Sequence, residues 1–176
     1  MKLGVFTVLF GNKTLEETLK YLSSLGVQAV EIGAGGNPGK AHCDPKELLA
    51  DEVKFEEFKG LFAKYNMEIS ALSVHGNPVH PDPKIAAQDH EDFENAVLLA
   101  EKLGLDTIVT FSGCPGGYEE AKAPNWITCS WPEIYSEMLE YQWNEVLIPY
   151  WKKAVEFANQ HGVTKIAIEL HPGFCV

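Results

Sequence analysis

The residues able to do chemistry gather just after β-rich phrases. Glu169 closes the apolar run Lys165-Ile166-Ala167-Ile168, and His171 follows two residues later on the same face. A carboxylate that ends an apolar strand is a hard oxygen ligand for a divalent metal or a proton shuttle; it also suits a plain strand-end pairing with a Lys or Arg. His171 adds a ligand, a hydrogen bond to substrate, or only a loop histidine. His75 follows Ile69-Ser70-Ala71-Leu72-Ser73-Val74 and precedes Gly76, where the missing side chain lets the backbone approach a ligand closely. Its imidazole could donate to a hydroxyl or bind metal, or simply be satisfied by a loop carbonyl. Glu31, between Val30 and Ile32, is costly to bury without a partner, which fits either a site residue or a carboxylate bridging adjacent strands.

Other candidates lie further out. The stretch from Ser112 to Pro132 is the longest without a repeat, and it carries Gly113, Pro115, Gly116, Gly117, Pro124, Trp126 and Trp131. Such a loop suits a lid or substrate wall, with Trp126 and Trp131 stacking on an apolar ring face or else stapling the loop to the core. Trp143 and Trp151 fall in helical spacing and read as packing. His42 is placed to close over the site from the loop after the second strand, whereas His80 and His90 read as solvated or capping residues. The Gly33–Gly39 loop could cradle a phosphate, but no Lys-Ser/Thr follows it.

The elements that position these groups repeat a punctuation. A helical segment ends at a Gly or Asn suited to the left-handed cap, and a β-rich run follows, at Gly26, Asn66, Gly104 and Gly162. An opening strand, Leu3–Leu9, precedes the first helix. Helical stripes run through Leu15, Leu19 and Leu22; Phe55, Phe58, Leu61 and Phe62; Phe93, Val97 and Leu98; and Tyr150, Ala154 and Phe157. Short apolar strands alternating with amphipathic helices predict an α/β protein with a parallel sheet of five strands and four helices. The turn after the first strand lacks both G-x-G-x-x-G and a Walker A loop, which disfavours a doubly wound nucleotide-binding sheet. Glu31, His75, Ser112, Glu169 and His171 at carboxyl ends of strands favour a (β/α)8 barrel, whose sites lie on that rim. A full barrel takes roughly 250 residues, so residues 1–176 are expected to form a single domain, the N-terminal part of a barrel with five of eight strands. A truncated product of a longer gene or a second chain completing the fold would explain this, ahead of an intended half-barrel.

Composition narrows the partners. The 176 residues are 45% hydrophobic and 22% charged, as in a globular domain. With 14 Lys+Arg against 25 Asp+Glu the formal charge is −11, so nucleic acid and anionic membranes are not expected partners. No apolar run approaches the roughly 20 residues of a membrane span, and Met1-Lys2 leads into a strand rather than a signal peptide, so a cytoplasmic protein is expected. Cys43, Cys114, Cys129 and Cys175 form no C-x-x-C pair and read as reduced thiols.

The phrases Leu25-Gly26-Val27-Gln28-Ala29-Val30-Glu31-Ile32-Gly33, Leu72-Ser73-Val74-His75-Gly76-Asn77, Thr107-Ile108-Val109-Thr110-Phe111-Ser112-Gly113 and Ile166-Ala167-Ile168-Glu169-Leu170-His171-Pro172 resemble the xylose isomerase-like barrels, in particular the sugar phosphate isomerase/epimerase group. The resemblance implies a divalent-metal-dependent isomerase or epimerase of a small sugar, working by proton abstraction α to a carbonyl. It implies a metal, Mn²⁺ first and Mg²⁺, Co²⁺ or Zn²⁺ otherwise, held by a Glu, an Asp, a His and a Glu on strands five to eight. Glu169 matches the first of these, as ligand and as half of an acid/base pair, and His75 matches a site-lining histidine after strand three. Glu31, Trp126, Trp131 and His171 are the further substrate-binding candidates. A small carbohydrate is the expected partner, with a homo-oligomer or a C-terminal segment completing the barrel. The alternatives are a non-catalytic half-barrel and, disfavoured by the charge and only 6 His, an apurinic-endonuclease-like metallohydrolase.

Overall fold

The computed structural model describes residues 1–176. Five parallel strands lie in sequence order: β1 (Gly4–Phe6), β2 (Ala29–Gly33), β3 (Glu68–Ser73), β4 (Thr107–Thr110) and β5 (Lys165–Ile168). Helices connect them on one side: α1 (Leu15–Ser24), α2 (Pro45–Ala50), α3 (Glu52–Tyr65), α4 (Pro83–Leu103), α5 (Ile134–Tyr141) and α6 (Ile148–Gln160). Strands paired strictly in chain order with helical crossovers make a partial barrel of the TIM type. No helix is long and apolar enough to cross a membrane.

Local chemistry accounts for the boundaries. Thr14 starts α1 with a reciprocal capping box to Glu17. Asp44, Asp51 and Asp82 accept backbone N–H groups at the starts of α2, α3 and α4, with a proline in the first turn of α2 and of α4. The apolar stripe from Phe55 to Phe62 predicts one helix between β2 and β3, which is α3; α2 precedes it as an additional short helix, ending at Asp51, which caps α3. All four punctuation residues, Gly26, Asn66, Gly104 and Gly162, adopt positive φ. The opening strand is shorter than Leu3–Leu9, because a 3-10 turn over Thr7–Phe10 bends the chain after Phe6. A π-helical turn, Gln142–Leu147, joins α5 to α6.

A cluster of 23 buried residues fills the space between sheet and helices, with Val30, Ile32, Leu72 and Ile108 from the sheet meeting Leu19, Phe58, Val97 and Ala158 from the helices. Side chains alternate along a strand, so the residues between these belong to the opposite, inner face of the barrel. One bulge adjusts the alternation. Val30 pairs with Ile69 but Glu31 pairs with Ala71, leaving Ser70 extra in β3, and the Ser70 hydroxyl donates to the Val30 carbonyl at 3.1 Å.

Candidate active site

Pairing register determines which candidates meet. Phe6, Glu31 and Ala71 are in register, as are Ser73 and Val109, so Glu31, Ser73, His75, Phe111 and Glu169 share the inner face at the carboxyl ends of β2 to β5. Glu31 is half-buried and accepts a hydrogen bond from the Ser73 hydroxyl, a neighbour that answers the cost of placing a carboxylate within the sheet. The Glu169 amide extends the ladder by donating to the Thr110 carbonyl at 2.9 Å. Its carboxylate is about half exposed, and Oε2 stands 2.8 Å from His75 Nε2.

His75 is the most enclosed of the candidates, with a residual exposure of 2%. Its Nε2 is off the line that a hydrogen bond to Glu169 requires and has no aligned protein partner. A buried polar atom in that condition is ready for a ligand or an ordered water. The ring sits edge-on to Phe111 at 4.5 Å and 6.2 Å from Phe6, while Phe111 stacks on Phe174 at 4.1 Å and lies 5.0 Å from His171. An aromatic floor therefore runs beneath the Glu169–His75 pair. Thr7, just past β1, holds a second buried side-chain oxygen without a partner.

The backbone around His75 is tied to the loop after β2, to α4 and to the segment after β4. Its carbonyl accepts the Asn37 amide at 2.6 Å, and Gly36 packs so closely that a Cβ would fall 2.2 Å from that oxygen. Only glycine fits there, at φ +60°. From α4, Asp92 accepts the Gly36 amide at 3.0 Å and pairs with Lys40 at 2.8 Å; Asp89 accepts the Asn77 amide at 2.6 Å. Asn77 in turn bonds both the amide and the carbonyl of Cys114. Burial raises the Asp89 carboxyl above its ordinary range, against the lowering effect of the Asn77 amide.

Other sequence candidates go elsewhere. Ser112 lies one residue past Phe111 and so points to the helix side: its hydroxyl donates to the Cys175 carbonyl, and its carbonyl accepts Trp151 Nε1 at 2.7 Å. Alternation along β4 is the physical reason it leaves the mouth. Trp151 is thus more than packing. His42 Nε2 bonds the Lys13 carbonyl at 3.0 Å, tying two loops together rather than closing a lid. His90 lies well inside α4, bonded to the Tyr150 hydroxyl at 3.1 Å, because the helix begins at Pro83. Trp131 is 79% exposed, and Trp126 lines a cavity of about 290 Å³ with Leu139, Trp143 and Cys175, apart from His75 and Glu169. His171 is exposed beside Phe111, with Nδ1 close to the Pro172 carbonyl. Thr7, Ser73, Phe111, Asp89 and Asp92 are not among the residues that sequence reasoning singles out; counting the two-residue period outward from His75 and Glu169 would have found Ser73 and Phe111.

No group of three or more His, Cys, Asp or Glu side chains converges closely enough to hold a metal. The donors at the mouth, one carboxylate oxygen of Glu169 with the imidazole nitrogen beside it, fit one edge of a divalent centre rather than a whole coordination sphere.

Comparison with known proteins bears on the fold. The chain is 39% identical over 172 residues to the uncharacterized protein YfiH of Bacillus subtilis (strain 168), an alignment covering 96% of this chain and 54% of that protein. Its fold matches a D-tagatose 3-epimerase-like protein (TM-score 0.61, 21% identity, 99% of this chain and 54% of the other). It also matches the IOLI protein with a bound zinc atom (TM-score 0.60, 16% identity, 99% and 54%). The chain thus spans about half the length of the proteins it resembles. Residues 19–176 match the model of the xylose isomerase-like TIM barrel, and the chain belongs to that family.

Proposed function

We propose that these residues form the first part of a divalent-metal-dependent isomerase or epimerase of a small sugar or sugar derivative, active in the complete barrel. The observation that carries the reading is the approach of Glu169 Oε2 to the buried, unpartnered His75 Nε2 over an aromatic floor at the barrel rim. Family membership and the epimerase-like relative support it. Glu169 would hold the metal, with Mn²⁺ the ion expected; a zinc atom is bound in the IOLI relative. Such an ion stabilises the charge that develops on a substrate carbonyl oxygen.

The chain's own groups supply the rest. His75 Nε2 bonds a substrate oxygen and fixes its orientation, and its enclosure by Phe6 and Phe111 keeps water from competing for that bond. Glu169 would also take or return the proton α to the carbonyl. Glu31 with Ser73, and His171, would line the substrate space. Trp126 and Trp131 stand too far out to be assigned to that wall in this arrangement. The second carboxylate of the acid/base pair is proposed to come from the remainder of the barrel. An apolar groove beside β5, lined by Trp143, Trp151, Ile166, Ile168 and Leu170, supports a second copy or a C-terminal segment covering this side.

The test is Glu169→Gln in the full-length protein. Mn²⁺ affinity in a calorimetric titration is expected to fall by roughly 10–100-fold, together with loss of Mn²⁺-dependent exchange of the α proton of a ketose in deuterated water. Unchanged affinity refutes Glu169 as ligand, and absence of exchange in the Mn²⁺-loaded wild type across small ketoses refutes the reaction.

A further inference from the structure

Behind the mouth, on the helix side of the sheet, two cysteines distant in sequence come together. Cys114 follows β4 and Cys175 lies beyond β5, and with Val79 and Leu147 they form a separate buried cluster. The segments carrying them are paired: the Cys175 amide donates to the Gly113 carbonyl at 2.9 Å, and the Cys175 carbonyl accepts the Ser112 hydroxyl. Cys114 Sγ faces the Pro115 carbonyl at 3.8 Å and Cys175 Sγ faces Gln142 Oε1 at 3.9 Å; the neighbouring thiol holds Cys114 below the usual thiol range and, with burial, pushes Cys175 above it. Cys175 borders the apolar groove beside β5 and the cavity lined by Trp126, so the pair meets the surface at Cys175, with Cys114 behind it. The remaining cysteines are unlike these. Cys43 is buried alone, its thiol pushed up to about 12, and Cys129 is exposed with no cysteine beside it.

We propose that Cys114 and Cys175 are an oxidation-sensitive dithiol that hydrogen peroxide converts to an internal disulfide. Cys114 is the attacking sulfur. Its thiolate bonds one peroxide oxygen as the O–O bond breaks, and the departing hydroxide takes up a proton and leaves as water. The Cys175 sulfur then attacks the resulting sulfenic acid. The S–S bond forms, the S–O bond breaks, and the hydroxyl leaves as a second water with the Cys175 proton. The thiols lose two electrons and the peroxide gains them, so no further reactant is needed. The bond would fasten the segment after β5, which carries Glu169 and His171, to the end of β4.

Trypsin separates the four thiols onto different peptides: Cys43 on 41–46, Cys114 on 103–122, Cys129 on the peptide starting at Ala123, and Cys175 on the peptide starting at Ile166. The protein is treated with hydrogen peroxide, alkylated in denaturant and digested. Mass spectrometry is expected to find the 103–122 peptide crosslinked to the Ile166 peptide, reversible by dithiothreitol, with Cys43 still alkylated. Cys175→Ser should leave Cys114 as a sulfenic acid trapped by dimedone, and Cys114→Ser should abolish both the crosslink and the trapping. Retention of free alkylated Cys114 and Cys175 at peroxide doses that oxidise Cys129 overturns the proposal, as does crosslinking only between molecules. Dimedone capture at Cys175 rather than Cys114 overturns the order of attack.

Discussion

The stretch from β1 to α4 and the stretch from β4 to β5 are built on different terms. In the first, every α-helix begins at a Thr or Asp whose side chain accepts backbone N–H groups, and α1, α3 and α4 each contribute several residues to the core. In the second, neither α5, the π-helical turn nor α6 has a side-chain cap, and α5 buries no residue at all. Large apolar side chains at Ile148, Val155, Ile168 and Leu170 are left exposed there. The first half is held by local signals reinforced by packing. The second lacks side-chain caps at its helix starts and depends more on tertiary contacts, which are sparse along its outer edge.

The largest test of this contrast compares two leucines. Leu72 is fully buried between sheet and helices whereas Leu170 is 76% exposed, so Leu72→Ala should cost about 2–5 kcal/mol and Leu170→Ala no more than about 0.5 kcal/mol in urea unfolding. Similar losses at both positions would show that the β5 edge is covered in solution.

A smaller effect is expected at the helix starts. Asp51 accepts the amides of Val53 and Lys54, and Asp51→Ala should cost about 0.5–2 kcal/mol. Glu133, which precedes α5, makes no side-chain cap, so its replacement by Ala should stay within about 0.5 kcal/mol. A cost at Glu133 matching that at Asp51 would erase the distinction.

The smallest effect concerns pH. The folded protein raises the Asp89 pKa above its ordinary 3.8, chiefly through burial. The folded state therefore holds the proton more tightly than the unfolded chain does. This favourable contribution is complete below the ordinary value and is lost as pH rises through the raised one. Asp89→Asn keeps an oxygen for the Asn77 amide and carries no charge, so its melting temperature should gain on wild type as pH is raised from about 3 to 7. A constant gap between the two proteins would contradict the assignment.

These contrasts explain what can be read from the residues alone. The left-handed caps at Gly26, Asn66, Gly104 and Gly162 are local decisions of the backbone, and so the alternation of helix and strand is legible, as is the placing of Glu31, His75 and Glu169 at strand ends. Ser112 looks like a residue of the mouth when nearness to a strand end is read without its parity, and alternation sends it to the helix side. Asp89 and Asp92 look like solvated helix residues in sequence; only the docking of α4 against the loops after β2 and β3 turns them into acceptors for Asn77 and Gly36. The six-residue α2 is too short to show an apolar repeat, so only its cap at Asp44 and the proline that follows mark it.

The π-helical turn has a geometric consequence of its own. A π turn accommodates one residue more than the α repeat, and here it interrupts an otherwise continuous helix from Ile134 to Gln160. At 3.6 residues per turn, a residue added within plain α geometry would rotate the remainder of the helix by about 100° around the axis. The wider turn takes up the extra residue instead, so α6 keeps the phase that aims Tyr150 at His90 and Trp151 at the Ser112 carbonyl. It also lets Gln142 turn inward, where its amide nitrogen reaches the carbonyls of Pro115 and Asn125 and anchors the long segment after β4. Removing one residue here would return the turn to plain α geometry and withdraw Gln142 from the carbonyls of Pro115 and Asn125, freeing the segment after β4 while leaving α6 in place.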